Sequence, residues 1–292
     1  MTKKIGLVGL GIMGKPMAMN LLKAGYALYV FDVNENALEA VKAQGAIVCG
    51  SPKELAGQTE IIITILPDSP QVKEVALGHN GLLEGISAGK LLIDMSTIDA
   101  ATEAAIHEQF RAIGADTLDA PVSGGQVGAE QGSLSIMVGG ERESFELALP
   151  VFQAIGKKIS YMGKIGAGQI TKSCSQIATA LTTQGVIEAF ALAESAGIDM
   201  AKVRDALSGG FAESRVLLIT GDKIVRKDFA PGFKLKLYSK DLRIAKSAAA
   251  ERSLSLPGTQ LLSAEMDALV AAGKGELDFS ALFGALNHSL KD

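Results

Sequence analysis

Lys4-Ile5-Gly6-Leu7-Val8 is an apolar run that feeds directly into Gly9-Leu10-Gly11-Ile12-Met13-Gly14, a G-x-G-x-x-G sequence. A second apolar run, Ala27–Phe31, follows an amphipathic stretch and ends at Asp32, 18 positions after Gly14. Strand, glycine turn, helix, strand and acidic residue in that order form the dinucleotide-binding fingerprint. Gly9 allows the tight turn, Gly11 lets backbone approach a pyrophosphate, and Gly14 lets helix and strand pack closely. The helix start, with Leu10, Ile12 and Met13 in the turn, supplies unpaired N–H groups and partial positive charge. Asp32 can accept hydrogen bonds from both ribose hydroxyls and would repel a 2′-phosphate. Val33, Asn34 and Glu35 bring no cation for that phosphate, so NAD is favoured over NADP.

Outward from this unit the alternation continues. Strands are predicted at Glu60–Ile65, Lys90–Ile93, Asp116–Leu118, Ser133–Val138 and Lys158–Met162. Helices are predicted at Met13–Ala24, Glu35–Ala43, Ala101–Ile113 and around Ser144–Ala154. Strands alternating with helices imply βαβ units and a mainly parallel sheet. After Gly163 the pattern turns helical: Gly168–Ala196, Met200–Gly209, Leu235–Arg252, Pro257–Ala272 and Asp278–Leu290. The expected architecture is α/β, a Rossmann-like doubly wound domain over 1–163, then an all-α domain over 164–292 for substrate and oligomerisation. Leu66-Pro67 and Ser96-Thr97 follow two of the strands, where strand C-termini open on a ligand crevice.

The chain's 292 residues suit two domains at roughly 150 residues each, and 48% hydrophobic residues allow a sizeable core. Its formal charge of −4, without a Lys/Arg-rich block, argues against nucleic acid. Two cysteines, Cys49 and Cys174, exclude a disulfide framework, and no His or Cys cluster suggests a metal. The N-terminus superficially resembles a secretory signal, but its apolar run is glycine-rich and meets Lys15-Pro16. Ile165–Ile187 carries too many polar residues for a membrane span. A cytoplasmic protein without membrane attachment is expected.

Lys172 is the one charged residue between Ile165 and Ile187. Its helix carries Ile170, Ile177, Ala178, Leu181 and Val186, a pattern consistent with burial. Desolvation moves a lysine toward the range useful for proton transfer. Ser175 and Gln176, at i+3 and i+4, can share its face, and Gly168, at i−4, would leave room for a ligand. The loop Asp119-Ala120-Pro121-Val122-Ser123-Gly124-Gly125 follows a strand and can present a hydroxyl and successive N–H groups, a nest suited to a carboxylate. Cys174, at i+2, reads as a buried structural cysteine facing away from Lys172. His79, His107 and His288 are scattered with no ordered partner, and none is given a catalytic role.

Taken in order, these segments, together with Phe229-Ala230-Pro231-Gly232-Phe233 and Lys240-Asp241, resemble the β-hydroxyacid dehydrogenase (3-hydroxyisobutyrate dehydrogenase-like) family almost end to end. Within it the tartronate semialdehyde reductase branch is the nearest match, through Gly11–Pro16 and Val72–Gly78. The resemblance implies Lys172 as catalytic acid/base and Ser123, Gly124 and Gly125 as holders of the substrate carboxylate. It places Lys240 near both substrate and nicotinamide, and implies a homodimer or homotetramer. One departure stands out: the family's usual asparagine three residues after the lysine is Ser175 here.

The implied reaction is reversible reduction, with NADH, of a small carboxylate-bearing aldehyde resembling tartronate semialdehyde. Succinic semialdehyde or glyoxylate reduction and 3-hydroxyisobutyrate oxidation are the alternatives. A sensor that binds NAD(H) without turnover is the alternative from another class. Chemistry like that of 6-phosphogluconate dehydrogenase would need a cluster of cations that the Asp119–Gly125 region lacks, and an imine reductase usually lacks the lysine.

Overall fold

The computed structural model describes residues 3–286. The chain divides into two compact units after Lys172.

The first unit is built on one nine-stranded sheet. Its strands are β1 Lys4–Val8, β2 Ala27–Phe31, β3 Ile47–Val48, β4 Ile61–Thr64, β5 Leu91–Asp94, β6 Asp116–Asp119, β7 Val122–Ser123, β8 Leu134–Gly140 and β9 Gly156–Gly163. The order is β3-β2-β1-β4-β5-β6-β8-β7, with β9 also pairing β8. Strands β1 to β6 run parallel, β8 is antiparallel to β6 and β7, and β9 is parallel to β8. The fold is therefore the expected doubly wound one, with antiparallel pairing confined to β8 and its neighbours.

Side-chain alternation explains the two layers. On β4, Ile61 and Ile63 enter one core while Ile62 enters the other; Leu91, Ile93 and Leu92 of β5 divide the same way. Helices α1 (Gly14–Lys23), with Met17 and Leu21, and α7 (Arg142–Ile155), with Phe145 and Phe152, cover the first face. Helices α3 (Pro52–Gln58), α4 (Ser69–Leu77) and α5 (Ala100–Ala112), with Leu55, Val72 and Phe110, cover the second. Burial on both faces is what makes these strands continuous apolar runs rather than polar–apolar alternations. The remaining helices here are α2 (Glu35–Lys42) and α6 (Gly125–Glu130).

Helix α8 spans Ala167–Ser195, beginning in the first unit, and its remainder belongs to the second. The second unit adds α9 (Met200–Leu207), α10 (Arg215–Arg226), α11 (Leu235–Ala250), α12 (Pro257–Leu269) and α13 (Leu282–Leu286). Its core gathers Phe190, Leu217, Tyr238, Met266 and Phe283. Tyr238 is flanked edge-on by Phe233 and Phe279, with ring centroids 5.4 and 5.0 Å away.

Several expectations change. Helices α3, α4 and α10 were not anticipated; each starts at a side-chain cap, Ser51, Asp68 and Ser214 respectively. The predicted helix Asp278–Leu290 is a 3-10 turn, Phe279–Ala281, then α13, and residues 287–290 lie outside the described residues. The α8 face expected to be buried is not uniformly so: Val186 is buried, whereas Ala178 and Leu181 are exposed. No helix among the described residues is long and apolar enough to cross a membrane.

Candidate active site

The parallel register brings the C-terminal ends of five strands to one edge. Val8 is level with Phe31 and Thr64, Thr64 with Asp94, and Asp94 with Asp119. Strand order reverses between β1 and β4, so this edge holds the crevice in which doubly wound sheets bind ligands.

The glycine turn between β1 and α1 lies there, and its three glycines do different work. Gly9 has φ +99°, and a Cβ on it would lie 2.3 Å from the Ile65 carbonyl oxygen. A Cβ on Gly14 would lie 1.9 Å from the Gly9 carbonyl oxygen. A Cβ on Gly11 would meet nothing within 4 Å. Two glycines are thus demanded by the protein's own packing, and the third faces open space. No side chain caps the start of α1; the Lys15 and Met17 amides already donate to the Gly11 and Met13 carbonyl oxygens and Pro16 has no N–H, so an anion would meet the amides of the turn just before the helix. Asp32 holds the turn from the neighbouring strand: its Oδ2 accepts from the Leu10 amide at 2.5 Å and its Oδ1 from the Asn34 amide at 2.7 Å. The cap of α2 is Asn34. Ile12 and Val33 are exposed and Met13 is half-buried. These residues fit a dinucleotide: an open approach at Gly11, a helix start without a side-chain cap, and a carboxylate at the end of β2.

At the ends of β4 and β5, the Leu66 amide donates to Ser96 Oγ at 2.9 Å, and Ser96 Oγ donates to Asp94 Oδ1 at 2.6 Å. Pro67 is exposed and Thr97 half-buried. The two strand ends are tied together beside the glycine turn.

Lys172 is buried, 7% exposed, and its Nζ donates to the Val122 carbonyl oxygen at 2.9 Å. Val122 directly precedes Ser123, which is half-buried, and Gly124 and Gly125, which are exposed. Both glycines have positive φ, +134° and +61°, as the chain turns from β7 into α6. The sequence-predicted proton carrier and carboxylate loop therefore meet within the first unit. Gly168 is a correction. A Cβ there would lie 2.4 Å from the Met137 carbonyl oxygen and 2.6 Å from that of Asp119, so the space is filled by backbone rather than left for a ligand.

The other predicted substrate residues lie in the second unit. Gln176 is buried and Ser175 half-buried. Gln176 Nε2 donates to Asp241 Oδ2 at 2.6 Å, and Lys240 Nζ is 2.9 Å from Asp241 Oδ1. One buried carboxylate thus orients both. Asp241 was read only as part of the Lys240-Asp241 pair; the sequence gives no hint that Gln176, 65 positions away, shares it.

A further group went unread. Asp94, Glu103 and Asp119 are all buried in the first unit. Burial pushes the Asp119 carboxyl up to about 7, against hydrogen bonds from the Gln169 and Gly166 amides that oppose the rise. Burial, with the Asp94 and Asp119 charges, pushes Glu103 well above the carboxylate range.

Two side readings are also corrected. Cys174 is exposed, whereas Cys49 is the buried cysteine, its thiol pushed up to about 11 by burial. His107 has an ordered partner, its Nδ1 lying 2.7 Å from Thr117 Oγ1. His288 lies outside the described residues.

The chain also resembles known proteins over nearly its whole length. Residues 4–163 match the family model described as the NAD binding domain of 6-phosphogluconate dehydrogenase. Residues 166–286 match that described as NAD-binding of NADP-dependent 3-hydroxyisobutyrate dehydrogenase. The chain is 42% identical to the 2-hydroxy-3-oxopropionate reductase of Escherichia coli K12, over 98% of this chain and 99% of that one. It is 37% identical to the NAD-dependent L-serine dehydrogenase of Pseudomonas aeruginosa, over 96% of each. A solved structure of Mycobacterium tuberculosis 3-hydroxyisobutyrate dehydrogenase with L-serine superposes with TM-score 0.90 at 32% identity, covering 98% of this chain and 99% of that one.

Proposed function

The chain belongs to the β-hydroxyacid dehydrogenase family and is an NAD(P)-dependent 3-hydroxyacid dehydrogenase, and we propose that it reversibly reduces a small semialdehyde acid resembling tartronate semialdehyde, with NADH and with Lys172 as general acid/base. The observation that carries this reading is the buried Lys172 ammonium, hydrogen-bonded to the Val122 carbonyl directly before Ser123-Gly124-Gly125.

A bound nicotinamide dinucleotide supplies or accepts the hydride. Residues 1–163 would hold it: the Gly9–Gly14 turn and the start of α1 at the pyrophosphate, Asp32 at the adenosine ribose, and Leu66, Pro67 and Thr97 along the strand ends. Asp32 favours NADH, since its carboxylate stands where a 2′-phosphate would bring like charge and exposed Val33, Asn34 and Glu35 offer no cation.

The Ser123 hydroxyl and the Gly124 and Gly125 amides would receive the substrate carboxylate. Lys172 Nζ would protonate the oxygen of the aldehyde as the alkoxide develops, and in reverse the neutral amine would remove the hydroxyl proton. Proton transfer of this kind contributes about 10²–10⁴-fold. Lys240, Ser175 and Gln176, of the 164–292 domain, would complete substrate recognition, with serine giving one donor where asparagine gives two. Similarity to the E. coli reductase supports the tartronate-type substrate. Exposed Leu192, Leu218 and Leu261 in the second unit support assembly into a homodimer or homotetramer, which light scattering would measure.

The test is loss of nicotinamide absorbance with NADH, and separately NADPH, over tartronate, methylmalonate and succinate semialdehydes and glyoxylate. Rapid oxidation of NADH by tartronate semialdehyde is expected. Binding of NADH without turnover on any of them would replace the enzyme reading with that of a sensor.

A further inference from the structure

Asp119 ends β6 fully buried, and its carboxylate faces the start of α8. Oδ1 accepts from the Gly166 amide and Oδ2 from the Gln169 amide, each at 2.8 Å. Three residues further along both segments, Lys172 Nζ donates to the Val122 carbonyl. Segments 119–122 and 169–172 are therefore tied at both ends, carboxylate to amide at one and ammonium to carbonyl at the other. Gly168 closes the space beside this clamp, since a Cβ there would lie 2.8 Å from Asp119 Oδ2.

An ordinary helix cap comes from the residue that precedes the helix, as Asn34 and Ser51 do here. The cap of α8 comes instead from 47 and 50 positions away in the chain. Its loss would not merely fray a helix end; it would release the register between the carboxylate loop and the helix that carries the lysine. Burying a carboxyl works against its own solvation, and Asp119 is held there nonetheless by two amides.

We propose that Asp119 is a positioning residue, setting the depth and rotation of the first turn of α8 and hence the placement of Lys172 Nζ beside Ser123. This inference rests on Lys172 being the proton carrier.

A double-mutant cycle separates the two ideas, with kcat expressed per NADH-binding site so that misfolded protein does not count. Asp119→Asn keeps the shape but presents an NH2 to one of the two amides. With Lys172 in place, Asp119→Asn should lower kcat by about 10- to 100-fold, the scale of a small misplacement of a reacting group, with KM for NADH unchanged. In Lys172→Ala, assayed with ethylamine as external proton donor, the same substitution should change the rate by less than about twofold. Equal losses in both backgrounds would make Asp119 merely structural and overturn the proposal, as would no loss with Lys172 present. Full turnover by Lys172→Ala alone would instead overturn the assignment of the lysine. Should Asp119→Asn fail to bind NADH, the cycle is run with Gly168→Ala, which presses on the same carboxylate from the helix side, and the same pattern is expected.

Discussion

Asp32 Oδ2 accepts a hydrogen bond from the Leu10 amide at 2.5 Å, joining the end of β2 to the middle of the glycine turn. The residue proposed to select the ribose therefore also shapes the loop that would receive the pyrophosphate. Cofactor choice and loop geometry meet in one carboxylate.

Asp32→Ser removes the charge that would oppose a 2′-phosphate. The ratio of kcat/KM for NADH over NADPH should fall at least about tenfold, the equivalent of ~1.4 kcal/mol. An unchanged ratio would remove Asp32 from cofactor selection.

Gly11 and Gly14 should respond oppositely to alanine. A Cβ on Gly14 collides with the Gly9 carbonyl, whereas one on Gly11 meets no protein atom. Gly14→Ala should lose about 1–3 kcal/mol of stability through overpacking. Gly11→Ala should melt like the parent yet bind NADH at least about tenfold more weakly. Thermal melts with NADH titrations check both.

The buried carboxylates predict a pH dependence of stability. Neither Glu103 oxygen, nor Asp94 Oδ2, has a hydrogen-bond partner among the described residues unless a proton on Glu103 is donated to Asp94. Both carboxyls are raised by burial, as is Asp119. A raised carboxyl keeps in the folded chain a proton that the unfolded chain releases, so stability falls as pH climbs above the ordinary carboxylate range. For Asp119 that fall runs up to about 7. Glu103→Gln should flatten the decline by on the order of 1.4 kcal/mol per pH unit for one proton, with kcat unchanged. Melts from pH 5 to 8 of parent and variant, with roughly that interval set by the linkage, measure it.

Ser175→Asn restores the donor usual at that position. One added hydrogen bond is worth roughly 0.5–1.5 kcal/mol, so KM for the semialdehyde should fall by about two- to tenfold, with KM for NADH unchanged. A shift confined to NADH would move Ser175 out of substrate recognition.

The periodic parts of the fold were legible in the sequence. Strand β1 falls where its apolar run places it because a strand buried on both faces is continuously apolar, and β2 falls on its run because half-buried Tyr29 and Phe31 still pack on the second core while Leu28 and Val30 are buried in the first. Strand β3 has two residues and no periodicity to detect. Helices α3 and α4 carry cap and proline signals, but in seven and nine residues amphipathicity is weak. At the candidate site, the glycine turn and Asp32 were readable because they are local. The clamp at Asp119 and the pairing of Gln176 with Asp241 were not, since strand register and helix packing bring those partners together from distant positions. Gly168 shows the same limit: its neighbours, Met137 of β8 and Asp119 of β6, come to the helix from distant strands. The exposure of Cys174 likewise depends on which face of α8 is covered, and a helix whose apolar and polar residues are spread around all sides does not announce that face.

The most direct test is single-turnover oxidation of bound NADH by tartronate semialdehyde, with parent and Lys172→Ala side by side. The account predicts a fast step in the parent and one slower by about 10²–10⁴-fold in the variant, with NADH affinity equal in both. Equal rates in the two proteins would contradict it.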